Sequence, residues 1–253
     1  MRYARFSQQG RVAYASVSGT SLAVLSGNPL THLAEPTGEH LELADVVLLP
    51  PTEPSKIVCV GINYGEHISE MGMTGLANAE PALFLKPPSA LIGAGEAIVL
   101  PSQSTTVELE VELAIVISHR ARNVPEHAVE GYIWGYTIAN DVTARDLQAK
   151  DAQWMRSKSF DTFCPVGPWV DTDWQPAGQR IWSEVNGEVR QDSTLAGMLS
   201  NVPRIISYVS HNMTLEPGDF VLTGTPSGVS GIVAGDNVLC AVEGLGALVN
   251  PVR

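Results

Sequence analysis

Glu108-Leu109-Glu110-Val111-Glu112-Leu113-Ala114-Ile115-Val116-Ile117 reads as a β-strand, and its two faces decide the fold class. Side chains alternate along a strand, so Glu108, Glu110 and Glu112 share one face with Ala114 and Val116. The opposite face is apolar throughout. An isolated Glu-x-Glu is more often a solvated strand face. Here the acidic face turns apolar directly after Glu112, so both faces are covered near that residue. Adjacent buried carboxylates repel one another and need a cation or a proton. A hard divalent ion answers that need, because Mg²⁺ prefers carboxylate oxygens and keeps water positions open.

The next long apolar run, Tyr132-Ile133-Trp134-Gly135-Tyr136-Thr137-Ile138-Ala139-Asn140-Asp141, delivers a third acid at its exit. An Asp in that position is also a ready N-cap for a helix over 142–150, so ligand and cap readings of Asp141 stand side by side. Arg145 and Gln148 follow, three apart on one helical face. Lys158 then lies in Trp154-Met155-Arg156-Ser157-Lys158-Ser159-Phe160, a lysine among residues that suggest burial.

Working outward, strands are expected over 57–60, 82–85 and 97–100. Asn186-Gly187 between Ile181–Val185 and Glu188–Arg190 signals a hairpin, since both residues tolerate positive φ. Helices are expected over 63–71, 194–199 and 203–213, and strands return at 219–223, 237–242 and 246–249. Residues 2–6, 11–17 and 21–25 form a meander too small to be a core alone. Leu49-Pro50-Pro51-Thr52-Glu53-Pro54 stiffens the chain after it. The boundary therefore divides a small β domain, 1–50, from a larger one, 55–253. Without regular βα alternation, the class is β-rich α+β.

Composition narrows the function. Of 253 residues, 44% are hydrophobic and only 17% charged, where about 25% is usual. A chain this long buries roughly 70–75% of its unfolded surface, so a full core is available. The net charge is −12, and Lys56, Lys86, Lys150 and Lys158 are the only lysines. No basic face exists for nucleic acid or an anionic membrane. Cys59, Cys164 and Cys240 are odd in number and far apart, which fits a reducing compartment. With no apolar run of about 20 residues and no secretory signal, the expectation is a cytoplasmic protein.

Two further segments carry chemistry. In Gly61-Ile62-Asn63-Tyr64-Gly65-Glu66-His67-Ile68-Ser69-Glu70, His67 and Glu70 are spaced i,i+3, so a carboxylate can orient an imidazole. Glycines 61, 65, 72 and 75 bracket this stretch and give it the freedom of a lid. Leu222-Thr223-Gly224-Thr225-Pro226-Ser227-Gly228 is a strand and a Gly/Thr/Ser loop without the lysine of a P-loop.

Taken in order, Gly-x-Asn-Tyr-x-x-His-x-x-Glu, Phe84-Leu85-Lys86-Pro87, Glu-x-Glu-Leu, Asn-Asp-x-x-Ala-Arg-Asp-x-Gln, Lys-Ser-Phe-Asp-Thr-Phe-x-Pro-x-Gly-Pro and Gly-Asp-x-x-Leu-Thr-Gly-Thr-Pro-x-Gly closely resemble the fumarylacetoacetate hydrolase superfamily over roughly residues 56–250. The resemblance implies a mixed β-sandwich roll with a small extra N-terminal domain. It implies Glu110, Glu112 and Asp141 as ligands of one Mg²⁺ or Mn²⁺ per subunit, and His67 with Glu70 as a catalytic dyad. Lys158 matches a catalytic position of the pocket, and Arg145, Gln148 and Thr225 match substrate-binding positions. One departure stands out: where the family often has Asp-Tyr before Glu-x-Glu, this chain has Glu108-Leu109.

By that likeness the substrate is a small 2-oxo acid. The metal, as Lewis acid, stabilises the pyruvate enolate formed when C3–C4 of an acylpyruvate breaks. Lys158 and Arg145 supply positive charge, and His67 activates the attacking water. Hydrolysis ranks first because His67 and Glu70 are both present. Decarboxylation or isomerisation of diacids such as oxaloacetate or 2-hydroxyhepta-2,4-diene-1,7-dioate, in aromatic catabolism, is the alternative. A non-catalytic cation- or ligand-binding protein is the remaining one. A homodimer is expected from the resemblance and from apolar strands at 132–139 and 181–185 that one sheet leaves uncovered.

Overall fold

The computed structural model describes residues 1–66 and 80–253. His67, Glu70, the lid expected around them and most of the helix expected over 63–71 lie outside the described residues.

A mixed sheet forms the body of the protein. Its strands run, in spatial order, Pro36–Glu42, Ser21–Leu25, Arg11–Ser18, Arg2–Gln8, Cys164–Asp171, Ile133–Asn140, Val111–Ile117, Phe220–Leu222, Ile57–Gly61 and Ala82–Lys86. A second sheet joins Thr143–Ala144, Val107–Leu109 and Ser230–Gly231, and a third joins Glu188–Thr194, Arg180–Val185, Asn237–Val242 and Gly246–Pro251. This is the β-rich α+β class expected.

Every residue of Val111–Ile117 is buried. Leu113, Ile115 and Ile117 pack with Ile181, Val185, Val238 and Val242, so the third sheet covers one face of the strand. Ala114 and Val116 pack with Ile57, Cys59, Ala139, Val166 and Phe220 on the other. A strand dry on both faces carries near-continuous aliphatic sequence, and Val111-Glu112-Leu113-Ala114-Ile115-Val116-Ile117 breaks that rule only at Glu112.

The N-terminal strands have a core of their own, Ala4, Phe6, Ala15, Leu22 and Val24, with Trp169 packed against it. They also extend the large sheet, because Arg2 and Tyr3 pair with Asp171 and Val170. The hairpin at Asn186-Gly187 forms as expected, with φ of 53° and 81° at the two turn residues. The helix Val202–Asn212 starts on Pro203 at its first turn and is capped by the Asn201 side chain.

Several local readings are corrected. Glu108 to Ile117 is not one strand: Val107–Leu109 belongs to the small sheet and Val111–Ile117 to the large one, with Glu110 at the crossing. Residues 97–100 form no strand, only a bridge from Ile98 to Val252. Thr194 closes a strand, and the expected helix after it shrinks to the single 3₁₀ turn Leu195–Gly197. Cys164–Asp171 is a strand despite Pro165, Gly167 and Pro168, since it pairs with Leu91–Ile92 at its start and the N-terminal strand at its end. Of the apolar strands offered as a dimer face, Tyr132, Ile133, Trp134, Trp182 and Glu184 stay half-exposed. From Gly135 to Asn140 every residue is buried within the chain, so only the half-exposed residues of these strands could serve the expected homodimer.

Candidate active site

The crossing at Glu110 assembles the acids. Glu110 donates its N–H to Asn140 Oδ1 at 2.9 Å, and its carbonyl accepts from Asp141 N at 2.9 Å. Across the next ladder step Glu112 pairs with Ala139. Each carboxylate thereby offers an oxygen within 4.8 Å of the other two. Glu110, Glu112 and Asp141 are 4%, 2% and 0% exposed, which excludes the solvated-face reading. The cap reading of Asp141 falls too. The helix begins later, at Arg145–Lys150, with Ala144 at its N-cap and no side-chain cap.

Cations surround two of the three acids. Lys158 Nζ bonds Glu110 Oε2 at 2.7 Å and Asp141 Oδ2 at 2.6 Å. Lys86 Nζ takes the other Asp141 oxygen at 2.5 Å and the Val142 carbonyl at 3.1 Å. The Arg145 guanidinium bridges Glu108, through Nε at 2.6 Å, to Glu110 through Nη2. Glu108, the departure from the family pattern, is thus the acid that holds Arg145. Glu112 has no ion pair among the described residues and accepts instead from the Gly224 N–H at 2.6 Å.

The electrostatics follow from burial and charge count. Burial, then Asp141 and Glu110, push the Glu112 carboxyl well above the ordinary glutamate range, against weaker opposition from Lys158 and the Gly224 N–H. For Lys158, burial alone disfavours the ammonium, but Asp141 and Glu110 outweigh it and hold its pKa above the ordinary lysine value. Lys158 is therefore a fixed cation, and it also sits 5.1 Å from the centre of the Phe84 ring. Four carboxyl groups face three cations here, and Glu112 is the one without an ion pair among the described residues, which is why its carboxyl is the one that retains a proton when no metal is bound. The donor set is all hard oxygen, so the three acids could hold a divalent ion of the Mg²⁺ or Mn²⁺ kind and suit no soft metal.

The other expected residues take different places. Gln148 accepts from Arg145 through its amide oxygen, so its role begins as a prop for that guanidinium. The Thr225 hydroxyl donates to the Val111 carbonyl at 2.9 Å and accepts from Gln191 Nε2 at 2.7 Å. It is engaged as a strut between strand and loop. Lys86 and Gln191 were not singled out from the sequence. For Lys86 the signal was present: Phe84 and Lys86 lie two apart on an apolar strand, hence on one face, and both serve the same cluster.

Gly224 shows why the loop needs a glycine. Its φ is +94°, and a Cβ there would stand 2.8 Å from Asn63 Cβ and 3.0 Å from the Val60 carbonyl. Gly224→Ala is expected to cost about 2–5 kcal/mol of unfolding free energy, from left-handed strain and overpacking together. Because the same residue's N–H holds Glu112, metal affinity should fall alongside stability. Urea unfolding and Mn²⁺ titration check both, and wild-type values in each would refute the packing argument.

Comparison with known proteins places these features. Residues 56–253 match the family model described as fumarylacetoacetate (FAA) hydrolase C-terminal, and residues 1–51 match one described as Rv2993c-like, N-terminal. The chain is 45% identical to Protein Rv2993c of Mycobacterium tuberculosis, over 100% of this chain and 98% of that one. It is 40% identical to the oxaloacetate tautomerase Fahd2a, mitochondrial, of Rattus norvegicus, over 81% of this chain and 68% of the relative. Among solved structures, 5-carboxymethyl-2-hydroxymuconate delta-isomerase from Mycobacterium smegmatis superposes with a TM-score of 0.92 at 44% identity, covering 100% and 99% of the two chains. A maleylpyruvate hydrolase from Sphingobium sp. SYK-6, solved with manganese(II) and pyruvate, superposes with a TM-score of 0.82 at 29% identity, covering 100% and 98%.

Proposed function

We propose that this chain, which belongs to the fumarylacetoacetate hydrolase family and is an enzyme, enolises a small 2-oxo acid at a divalent ion held by Glu110, Glu112 and Asp141. The observation that carries this reading is the buried group of three carboxylates with Lys158 locked between two of them. A divalent ion bound there supplies Lewis acidity to the oxygens of the 2-oxo acid. Lys158, protonated and dry, directs its charge at the oxygen that becomes negative as the C3 proton leaves. Lys86 orients Asp141 through their ion pair, and Arg145, which also grips Glu108, orients Glu110. His67, with Glu70 as its dyad partner by the family resemblance, is the proton-transfer group in this reading.

Proton shuttling, as keto–enol or double-bond isomerisation of a 2-oxo diacid, is the reaction we place first. The support is similarity: relatives at 44% and 40% identity are a delta-isomerase and an oxaloacetate tautomerase, whereas the maleylpyruvate hydrolase stands at 29%. Acylpyruvate hydrolysis is the second reading, and the presence of both His67 and Glu70 in the sequence favours it.

A substrate panel separates the two. Protein loaded with Mg²⁺ or Mn²⁺ is assayed on enol-oxaloacetate, 2-hydroxyhepta-2,4-diene-1,7-dioate, acetylpyruvate and fumarylpyruvate, following the ultraviolet absorbance of the enol and the release of pyruvate. Isomerisation or tautomerisation without C–C cleavage is expected to have the highest kcat/KM, and His67→Ala should lower it about 10²–10⁴-fold. Faster pyruvate release from an acylpyruvate would replace the first reading with the second.

A further inference from the structure

We propose that the Tyr64 hydroxyl is a ligand-binding group of this site, donating a hydrogen bond to an oxygen of the 2-oxo acid; the assignment rests on the functional reading above.

Tyr64 closes the Gly-x-Asn-Tyr segment, and everything around it holds the ring still. Ile62 is kept at φ 61°, a left-handed conformation that a β-branched residue adopts only under constraint. The constraint is Asn63, whose amide donates to the Thr223 carbonyl at 2.7 Å and the Ser200 carbonyl at 3.0 Å, and accepts from Ser200 N at 2.7 Å. Tyr64 itself bridges Met198 through its backbone. Its ring lies so close to Gly197 that a Cβ there would be 3.1 Å from Cδ1 and 3.3 Å from Cε1.

The tip of this fixed ring has no partner among the described residues. Tyr64 is 2% exposed, and its hydroxyl makes no hydrogen bond to any of the described residues. A buried O–H without an acceptor is a standing cost, so native proteins keep few of them and each calls for an explanation. The surroundings supply one. The Thr223 carbonyl that Asn63 grips immediately precedes the Gly224 N–H that holds Glu112, so Tyr64 is tied to the metal-ligand cluster through one short segment. Burial first, and the Glu112 charge second, hold the phenol's pKa above its ordinary value, so it keeps its proton and remains a donor. A neutral donor that the described residues leave unused, on a segment tied to the carboxylate cluster, suits an anionic ligand oxygen arriving there.

Tyr64→Phe removes the hydroxyl and leaves the wedge. Mn²⁺-loaded wild type and variant are titrated with pyruvate, a small 2-oxo acid, by calorimetry. Mn²⁺ affinity and the thermal midpoint of the ligand-free proteins are recorded alongside. The expected result is a pyruvate affinity about 10–100-fold weaker in the variant, with unchanged Mn²⁺ affinity and a midpoint equal to or above wild type. Equal pyruvate binding by both proteins overturns the assignment while leaving the functional reading intact. A lowered midpoint overturns it as well, because the hydroxyl then has a structural partner. Wild-type protein that binds Mn²⁺ but no 2-oxo acid overturns the functional reading, and this assignment with it.

Discussion

Glu112→Gln is expected to lower kcat/KM by about 10³-fold or more and Mn²⁺ affinity by at least about 100-fold. The first figure follows from the several kcal/mol that a Lewis-acid metal contributes, at 1.36 kcal/mol per tenfold. The second extrapolates from the 10–100-fold cost of losing even an outer hydrogen-bond partner of a metal ligand. Glu112 is the acid of the three whose charge no lysine or arginine answers among the described residues. Its amide analogue keeps the shape and can still accept from Gly224. Stability should move the other way. In the metal-free wild type the buried carboxyl holds its proton to higher pH than in the unfolded chain. Stability therefore declines as pH rises above the ordinary glutamate range. The glutamine removes that slope, so the metal-free variant is at least as stable as wild type at neutral pH. Mn²⁺ titration, turnover and unfolding at two pH values test the set. Retained metal affinity together with retained turnover would dismiss Glu112 as a ligand.

Lys158→Met is expected to separate binding of the ion from use of it. Turnover should fall about 10²–10³-fold, the scale for removing one preorganised donor to a developing oxyanion. Metal binding should survive, because no ligand is lost and a neighbouring positive charge disappears. The metal-free variant leaves Glu110 and Asp141 facing each other without the ammonium that bridges them. Breaking such a buried pair costs about 3–5 kcal/mol. Mn²⁺ can restore the missing charge, so the rise in thermal midpoint on adding it should be larger in the variant than in wild type. Lys158→Arg should not rescue activity, since a planar fork does not fit between two carboxylates that a compact ammonium joins. A variant with wild-type kcat, or one that no longer binds Mn²⁺, would contradict this division of labour.

Much of the site was readable before folding was considered, for reasons that differ by residue. Glu110 and Glu112 stood out because period-two alternation ran into an apolar face, a local property of any strand. Asn186-Gly187 stood out because turn chemistry is local as well. Lys86 shares a strand face with Phe84, but that spacing alone reads the same on a solvated edge as in a core, so its partner is not legible in the sequence. The two-sheet crossing at Glu110 was invisible for a related reason: alternation continues unchanged whether a strand stays with one partner or exchanges it. Cys164–Asp171 is not legible as a strand because its prolines argue against one, and only tertiary pairing, with Ile133–Asn140 along its length and with two other strands at its ends, overrides them.

The amino-acid sequence by itself determined the β-rich class, the strands that carry the acids, the hairpin and the family. Tertiary structure alone decided which charge answers which. Lys86 reaches Asp141 across 55 residues of chain, and Lys158 reaches Glu110 across 48, because sheet order brings their strands and loops to one end of the large sheet. It decided equally that Glu108 holds Arg145, that Thr225 is a strut, and that Glu112 lacks a countercharge among the described residues. Alternation and turn preference are set by neighbours in the chain, so they can be read there. Ion pairing in a dry interior is set by distances that exist only after the sheets have closed.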